Sequence, residues 1–231
     1  PEDYIVERLE CKSHDGRIVP MTITRHKKTK INGSANLLLY GYGSYGSSMS
    51  PSFSSTRLSL INRDIIWVTA HIRGGMERGM KWWKEGKLLN KKNTFEDYIA
   101  VAKFLIEKKY TSNGKIIGMG GSAGGLLMGA VVNQAPELFL GIIMAVPFVD
   151  SLTTNLDHSL PLTVGEFEEF GNAKKNKEHF EYIYSYAPYN NIKKMDYPHM
   201  FITTSLSDNR VLFDEPAKFT AKLRDYKTDK N

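Results

Sequence analysis

The chain has 231 residues, 41% of them hydrophobic and 24% charged, which suffices for a core of ordinary size and excludes a disordered composition. A single cysteine, Cys11, excludes an intramolecular disulfide and a thiolate metal cluster and makes a reducing compartment, the cytoplasm, the expectation. The net charge of +6 raises the question of nucleic acid, but the basic residues fall in short clusters at 25–30, 90–93 and 172–177 whose polar surroundings read as solvated loops.

No apolar run approaches the roughly 18 to 20 residues that span a bilayer, so no membrane partner is expected. The six histidines are scattered without ligand spacing, and neither a metal nor a cofactor is expected. No internal repeat or low-complexity linker divides the chain, so residues 1–231 read as one folded unit.

The opening segments "YIVERLE" and "RIVPMTIT" alternate apolar and polar residues around "SHDGR", the pattern of an antiparallel hairpin turning at Asp15 and Gly16. Compact apolar strands then alternate with helices. "NLLLYGYG", "DIIWVTAH", "KIIGMGG", "LGIIMAVP" and "HMFITTSLS" read as strands buried on both faces. Between the second and third, "NTFEDYIAVAKFLIEKKY" repeats its apolar residues at helical spacing, with Asn93 or Thr94 as cap and Glu96 or Asp97 three residues on. "AGGLLMGAVVNQ" and "DEPAKFTAKLRDY" supply two more helices. Such alternation predicts an α/β fold with a mostly parallel sheet and helices on both faces.

Ser122 follows directly on the strand "KIIGMGG" and precedes the helix beginning near Ala123. Gly120-x-Ser122-x-Gly124 is then a nucleophile elbow, in which strand and helix approach so closely that the flanking positions must be tiny. The helix start adds a positive field and a free N–H, that of Ala123, for a developing oxyanion. A glycine-rich helix start with an incidental capping serine is the plainer alternative. "GYGSYG" at 41–46 imitates a dinucleotide fingerprint, but no helical pattern opens at Gly46. It reads better as a loop at a strand's carboxyl end on the side of Ser122, with Tyr42 offering a hydroxyl.

A serine needs a base, and in this kind of fold the partners follow in the order Ser, Asp, His. Asp208, in "SLSDNRV" just after a strand, stands where the orienting acid belongs, although a turn aspartate has the same surroundings. No histidine follows it. His199 begins the strand leading to Asp208, at the opposite edge of the sheet from Ser122, and His71 precedes the serine in chain order, so neither is expected to be the base.

These residues resemble the prolyl oligopeptidase family of serine peptidases, and within it the oligopeptidase B branch, which cleaves after basic residues. The likeness runs over essentially the whole chain and is carried by "YGYGSYG", "HIRGG", "KKNTFEDY", "GGSAGG", "VPFVD", "PLTVGEFEEFGN" and "EPAKF", with Val101 where the family signature has alanine. It implies an α/β-hydrolase fold with Ser122 as nucleophile, Asp208 as triad acid, and Tyr42 and the Ala123 N–H as the oxyanion hole. It also implies Arg210 as a binder of substrate backbone, and Glu166 and Glu168 as the acids that receive the basic side chain. Composition alone would make "EFEEF" a solvated helix start. Ser50 and Ser52 stand where relatives often carry acids of a second basic subsite, so a strong dibasic preference is not expected.

Family members place a β-propeller before the hairpin and their histidine after one further strand. The expectation is therefore a C-terminally truncated catalytic domain lacking its last strand and helix, with the propeller and imidazole missing or on a complementary fragment. The function expected is a serine endopeptidase acting on short basic peptides, inactive as this isolated chain. A catalytically dead α/β-hydrolase remnant or binding module is the alternative, and an esterase or lipase a weaker one.

Overall fold

The computed structural model describes residues 2–50 and 52–231. Strands β1 (Tyr4–Lys12) and β2 (Ile18–His26) pair antiparallel from Tyr4↔His26 to Lys12↔Ile18. Gly16 supplies the positive φ, 81°, that their turn requires. Five short strands follow: β3 (Leu37–Tyr40), β4 (Ile66–Ala70), β5 (Ile116–Gly121), β6 (Phe139–Ala145) and β7 (His199–Thr203). The sheet order is β1-β2-β4-β3-β5-β6-β7, antiparallel through β1, β2 and β4 and parallel from β4 to β7. Parallel pairing aligns the carboxyl ends of β3, β5, β6 and β7, where crossover loops gather and ligands of open α/β sheets bind.

Between the strands lie α1 (Ser55–Ile61), α2 (Met80–Lys84), α3 (Lys92–Glu107), α4 (Ala123–Gln134), α5 (Ser151–Leu156), α6 (Phe167–Phe170), α7 (Lys177–Tyr184) and α8 (Asp214–Tyr226). Helix α4 is buried from Ala123 to Asn133, so apolar and small residues occupy its whole circumference, as a central helix between sheet and neighbours demands. It packs on β5, β6 and α3.

Three sequence expectations are corrected. Strand β7 is not buried on both faces: it is an edge strand whose side chains alternate between exposed and half-buried, with Phe201 63% exposed. Helix α3 has no side-chain cap, because a 3₁₀ turn at Leu88–Asn90 leads into it and Thr94 instead donates to Arg73 O at 2.9 Å. Lys91, assigned above to a solvated loop, is 1% exposed.

Arg73 and Asp97 form the central buried ion pair. Arg73 Nη2 lies 2.6 Å from Asp97 Oδ1 and Nε 2.9 Å from Oδ2, while Ser13 Oγ donates to Oδ1 at 2.5 Å and Asp15 takes Nη1 at 2.6 Å. Burial works against the guanidinium charge, but the bonds to Asp97 and Asp15 outweigh it and raise the Arg73 pKa. The hairpin turn, α3 and the loop after β4 are fastened together at this point.

Candidate active site

Strand β5 and helix α4 meet at Ser122, whose φ of 54° and ψ of −119° put a non-glycine residue in a strained conformation. The bend is fixed by Ser122 N–H donating to Ala145 O at 2.9 Å, and by Ser122 O accepting from Gly125, Leu126 and Phe148 N–H at 2.8, 3.2 and 3.0 Å. A Cβ on Gly120 would stand 2.3 Å from Gly124 O, so strand and helix close only because Gly120 has no side chain. Strain bound this tightly turns the half-buried Ser122 toward a cleft of about 320 Å³.

That cleft is lined by Tyr42, Tyr45, Ser122, Ala123, Glu166 and Arg210, together with a wall running from Leu160 to Thr163, the segment Asn209–Leu212, and Glu215. Ala123 opens α4, and among the described residues no acceptor meets its N–H. Burial, then the Glu166 carboxylate, pushes the Tyr42 phenol pKa up, so its hydroxyl stays protonated and able to donate. Asp208 is half-buried in the loop after β7, and its Oδ1 accepts from Arg210 and Val211 N–H at 2.9 and 3.0 Å, closing a turn whose next residues form the cleft wall.

The acids of "EFEEF" part company. Glu166 lies in the cleft and accepts the Tyr45 hydroxyl at 2.6 Å, and burial raises its pKa although the Tyr45 bond lowers it. The Glu168 side chain is 75% exposed and meets Lys87 Nζ at 3.2 Å, so it is not brought into the cleft. The one-turn helix α6 directs consecutive side chains about 100° apart, and burying Phe170 turns Glu168 outward and Glu169 inward.

Sequence reasoning missed Tyr45, Lys91, Glu169 and Glu215. Glu169 accepts Tyr45 N–H at 3.0 Å and Trp83 Nε1–H at 2.8 Å. The Lys91 ammonium donates to Gly43 O at 2.6 Å and Ser44 Oγ at 2.7 Å and lies 3.8 Å from Glu169. Burial pushes Lys91 down to about 8, with Glu169 pulling the other way. Together they hold the glycine loop 41–46, which carries Tyr42 and Tyr45, to α6 and α3. Glu215, 3% exposed, accepts Asp150 N–H at 2.9 Å and the Thr154 hydroxyl at 2.5 Å. Burial pushes its carboxyl up to about 7 against those two donors.

Among the described residues no imidazole is hydrogen-bonded to Ser122. His71, though it follows β4 at the right edge, is buried with Nε2 on Thr22 Oγ1 at 2.8 Å. His179 accepts Asn172 N–H, His26 accepts Lys28 N–H, His14 adjoins Ser13, His158 packs on Phe167, and His199 opens β7.

A strained serine on a strand-to-helix turn, at the carboxyl edge of a mostly parallel sheet led in by an antiparallel hairpin, defines the α/β-hydrolase class. The model of the prolyl oligopeptidase family matches residues 51–231, and the chain belongs to that family. It is 52% identical over 225 residues to Protease 2 of Moraxella lacunata, covering 97% of this chain and 32% of that protein. With Dipeptidyl aminopeptidase BI of Pseudoxanthomonas mexicana it shares 47% over 228 residues, 98% of this chain and 31% of the relative. The solved structure of oligopeptidase B from Leishmania major superposes with a TM-score of 0.97 at 44% identity, covering all of this chain and 32% of that one. The chain thus spans about a third of the length of the curated relatives it matches.

Proposed function

We propose that this chain carries the acylation site of a serine endopeptidase that cleaves short peptides after Arg or Lys. The observation that carries it is the strained Ser122 opening on the same cleft as the half-buried Glu166 carboxylate. In this scheme Ser122 Oγ attacks the scissile carbonyl and the Ala123 N–H and Tyr42 hydroxyl stabilise the oxyanion. The serine proton passes to an imidazole oriented by Asp208, then to the leaving amine, and water resolves the acyl-enzyme. Arg210 at the rim binds substrate backbone. Glu166 faces the basic side chain, since a guanidinium is selected by a carboxylate in a partly desolvated pocket and not by a point charge in water. Glu168, on the surface with Lys87, has no part in that contact.

Among the described residues no imidazole reaches Ser122, and a polypeptide of these residues alone is therefore expected to retain only oxyanion and binding contributions, of the order of 10³ to 10⁴ over water. The same fact favours the second reading, an α/β-hydrolase domain that binds basic peptides without cleaving them, unless a complementary segment supplies the base.

Hydrolysis of an arginyl anilide with and without added imidazole separates these. Background turnover alone, and a Ser122-dependent increase with imidazole that favours arginyl over alanyl substrate, is expected. Imidazole-independent turnover lost in Ser122→Ala contradicts the missing base; no imidazole response supports the binding module.

A further inference from the structure

We infer that Glu215, and not Glu168, is the second acid that grips the basic side chain, so that the guanidinium or ammonium of a substrate is held between Glu166 and Glu215. This rests on the reading of the cleft as a site for basic side chains. Glu215 comes from the first turn of α8, far in sequence from α6, yet both acids line the one cleft that Ser122 opens on. Its carboxylate is nearly sealed in protein, and both donors it has, the Asp150 N–H and the Thr154 hydroxyl, are neutral.

Among the described residues no cation lies within ion-pair distance of Glu215. Lys218, one turn along α8, pairs with Asp150 and lies 3.6 Å from Asp214. Lys218 acts on Glu215 only at longer range, so the buried carboxyl lacks a directly paired cation, and a cationic group entering the cleft would supply one. Each Glu215 oxygen accepts a single hydrogen bond from the protein, which leaves acceptor capacity for a planar donor entering the cleft. Thr154 and Thr163 add polar lining to the same cleft, and Phe148 and Leu160 add apolar lining suited to a side-chain stem. Glu168 has none of this: it is exposed, already paired with Lys87, and outside the cleft.

The test is an amide-shift titration of the 231-residue chain with butylguanidinium and with its uncharged isostere butylurea. Wild type is expected to prefer butylguanidinium by about tenfold or more, Glu215→Gln to lose about tenfold in affinity for it, and Glu168→Gln to stay within about twofold. In wild-type protein the Glu215 carboxyl carbon is expected to shift on addition of butylguanidinium and that of Glu168 to stay, a readout that needs no variant to fold. If Glu168→Gln loses the affinity, or the Glu215 carboxyl carbon does not respond while binding occurs, Glu215 is not the second acid although the basic-substrate reading stands. If wild type does not distinguish the two probes, both fail together.

Discussion

Tyr45 grips Glu166 and Glu169 at once, donating its hydroxyl to Glu166 Oε2 at 2.6 Å and its backbone N–H to Glu169 Oε1 at 3.0 Å. The glycine loop that presents Tyr42 is thereby tied to the helix that presents the cleft acid. Burial already raises the Glu166 carboxyl, and the Tyr45 hydroxyl, by bonding its charged form, holds it lower than burial alone would. Tyr45→Phe is therefore expected to move the Glu166 carboxyl further up. Carbon-13 titration of the Glu166 carboxyl checks this, and an unchanged or lowered midpoint contradicts it.

Lys91 gives a pH signature of its own. Folding lowers its pKa from 10.5 to about 8 through burial, opposed by Glu169. Between those values the unfolded chain keeps a proton that the folded chain has released, so the Lys91 contribution makes stability rise with pH across that window. Below about pH 8 both states are protonated and the contribution is flat. Lys91→Met should remove the rise, seen as the difference between wild-type and variant urea midpoints from pH 8 to 10. Parallel pH profiles would contradict the burial of a charged Lys91.

Within α3, Asp97 neutralises a guanidinium that is itself 1% exposed. Removing the carboxylate leaves Asp15, among the described residues, as the one carboxylate paired with Arg73 and takes from Ser13 its short bond to Asp97. Asp97→Ala is expected to cost about 3 kcal/mol or more of unfolding free energy, as breaking one side of a buried pair does. A loss below about 1 kcal/mol by chemical denaturation would show that the site relaxes around the orphaned charge.

The edge strand β7 presents Phe201 and an unpaired backbone row to solvent. Such an edge templates pairing with another chain, and a lysine on it blunts that tendency. In a polypeptide of these 231 residues, Phe201→Lys should reduce self-association in sedimentation velocity while leaving the melting temperature within a few degrees. Equal association of both proteins would place the sticky surface elsewhere.

How much of this the sequence carried depended on range. The strands stood out as short apolar runs punctuated by glycine, and Ser122 because a strand, a G-x-S-x-G and a helix start fall in one continuous segment. Asp208 stands out for the same reason, as the polar end of an apolar run, and the bonds it accepts from Arg210 and Val211 N–H are equally those of the turn aspartate that the sequence left open. Lys91 was misplaced because composition reads a lysine among Asn and Lys as solvated, whereas its acceptors, Gly43 O and Ser44 Oγ, belong to another loop. Which acid of "EFEEF" turns inward depends on the rotation of a single helical turn, decided by burial of Phe170, and periodicity over four residues cannot fix it. Glu215 looked like an ordinary acid at a helix N-terminus, where it suits the dipole. Only the juxtaposition of β6 and β7 in the sheet brings the start of α8 against Asp150 and Thr154. His71 is set aside by chain order and His199 by its place at the start of β7, and the buried Thr22 contact gives His71 a further physical reason.

The most direct measurement is a crystal structure of the chain with a peptide argininal, an aldehyde whose carbonyl imitates the scissile one. The expected result places the aldehyde carbon at Ser122 Oγ, its oxygen toward the Ala123 N–H and the Tyr42 hydroxyl, and the guanidinium between Glu166 and Glu215. An argininal bound with its guanidinium away from both carboxylates, or with its aldehyde out of reach of Ser122, would contradict a basic-residue peptidase site here.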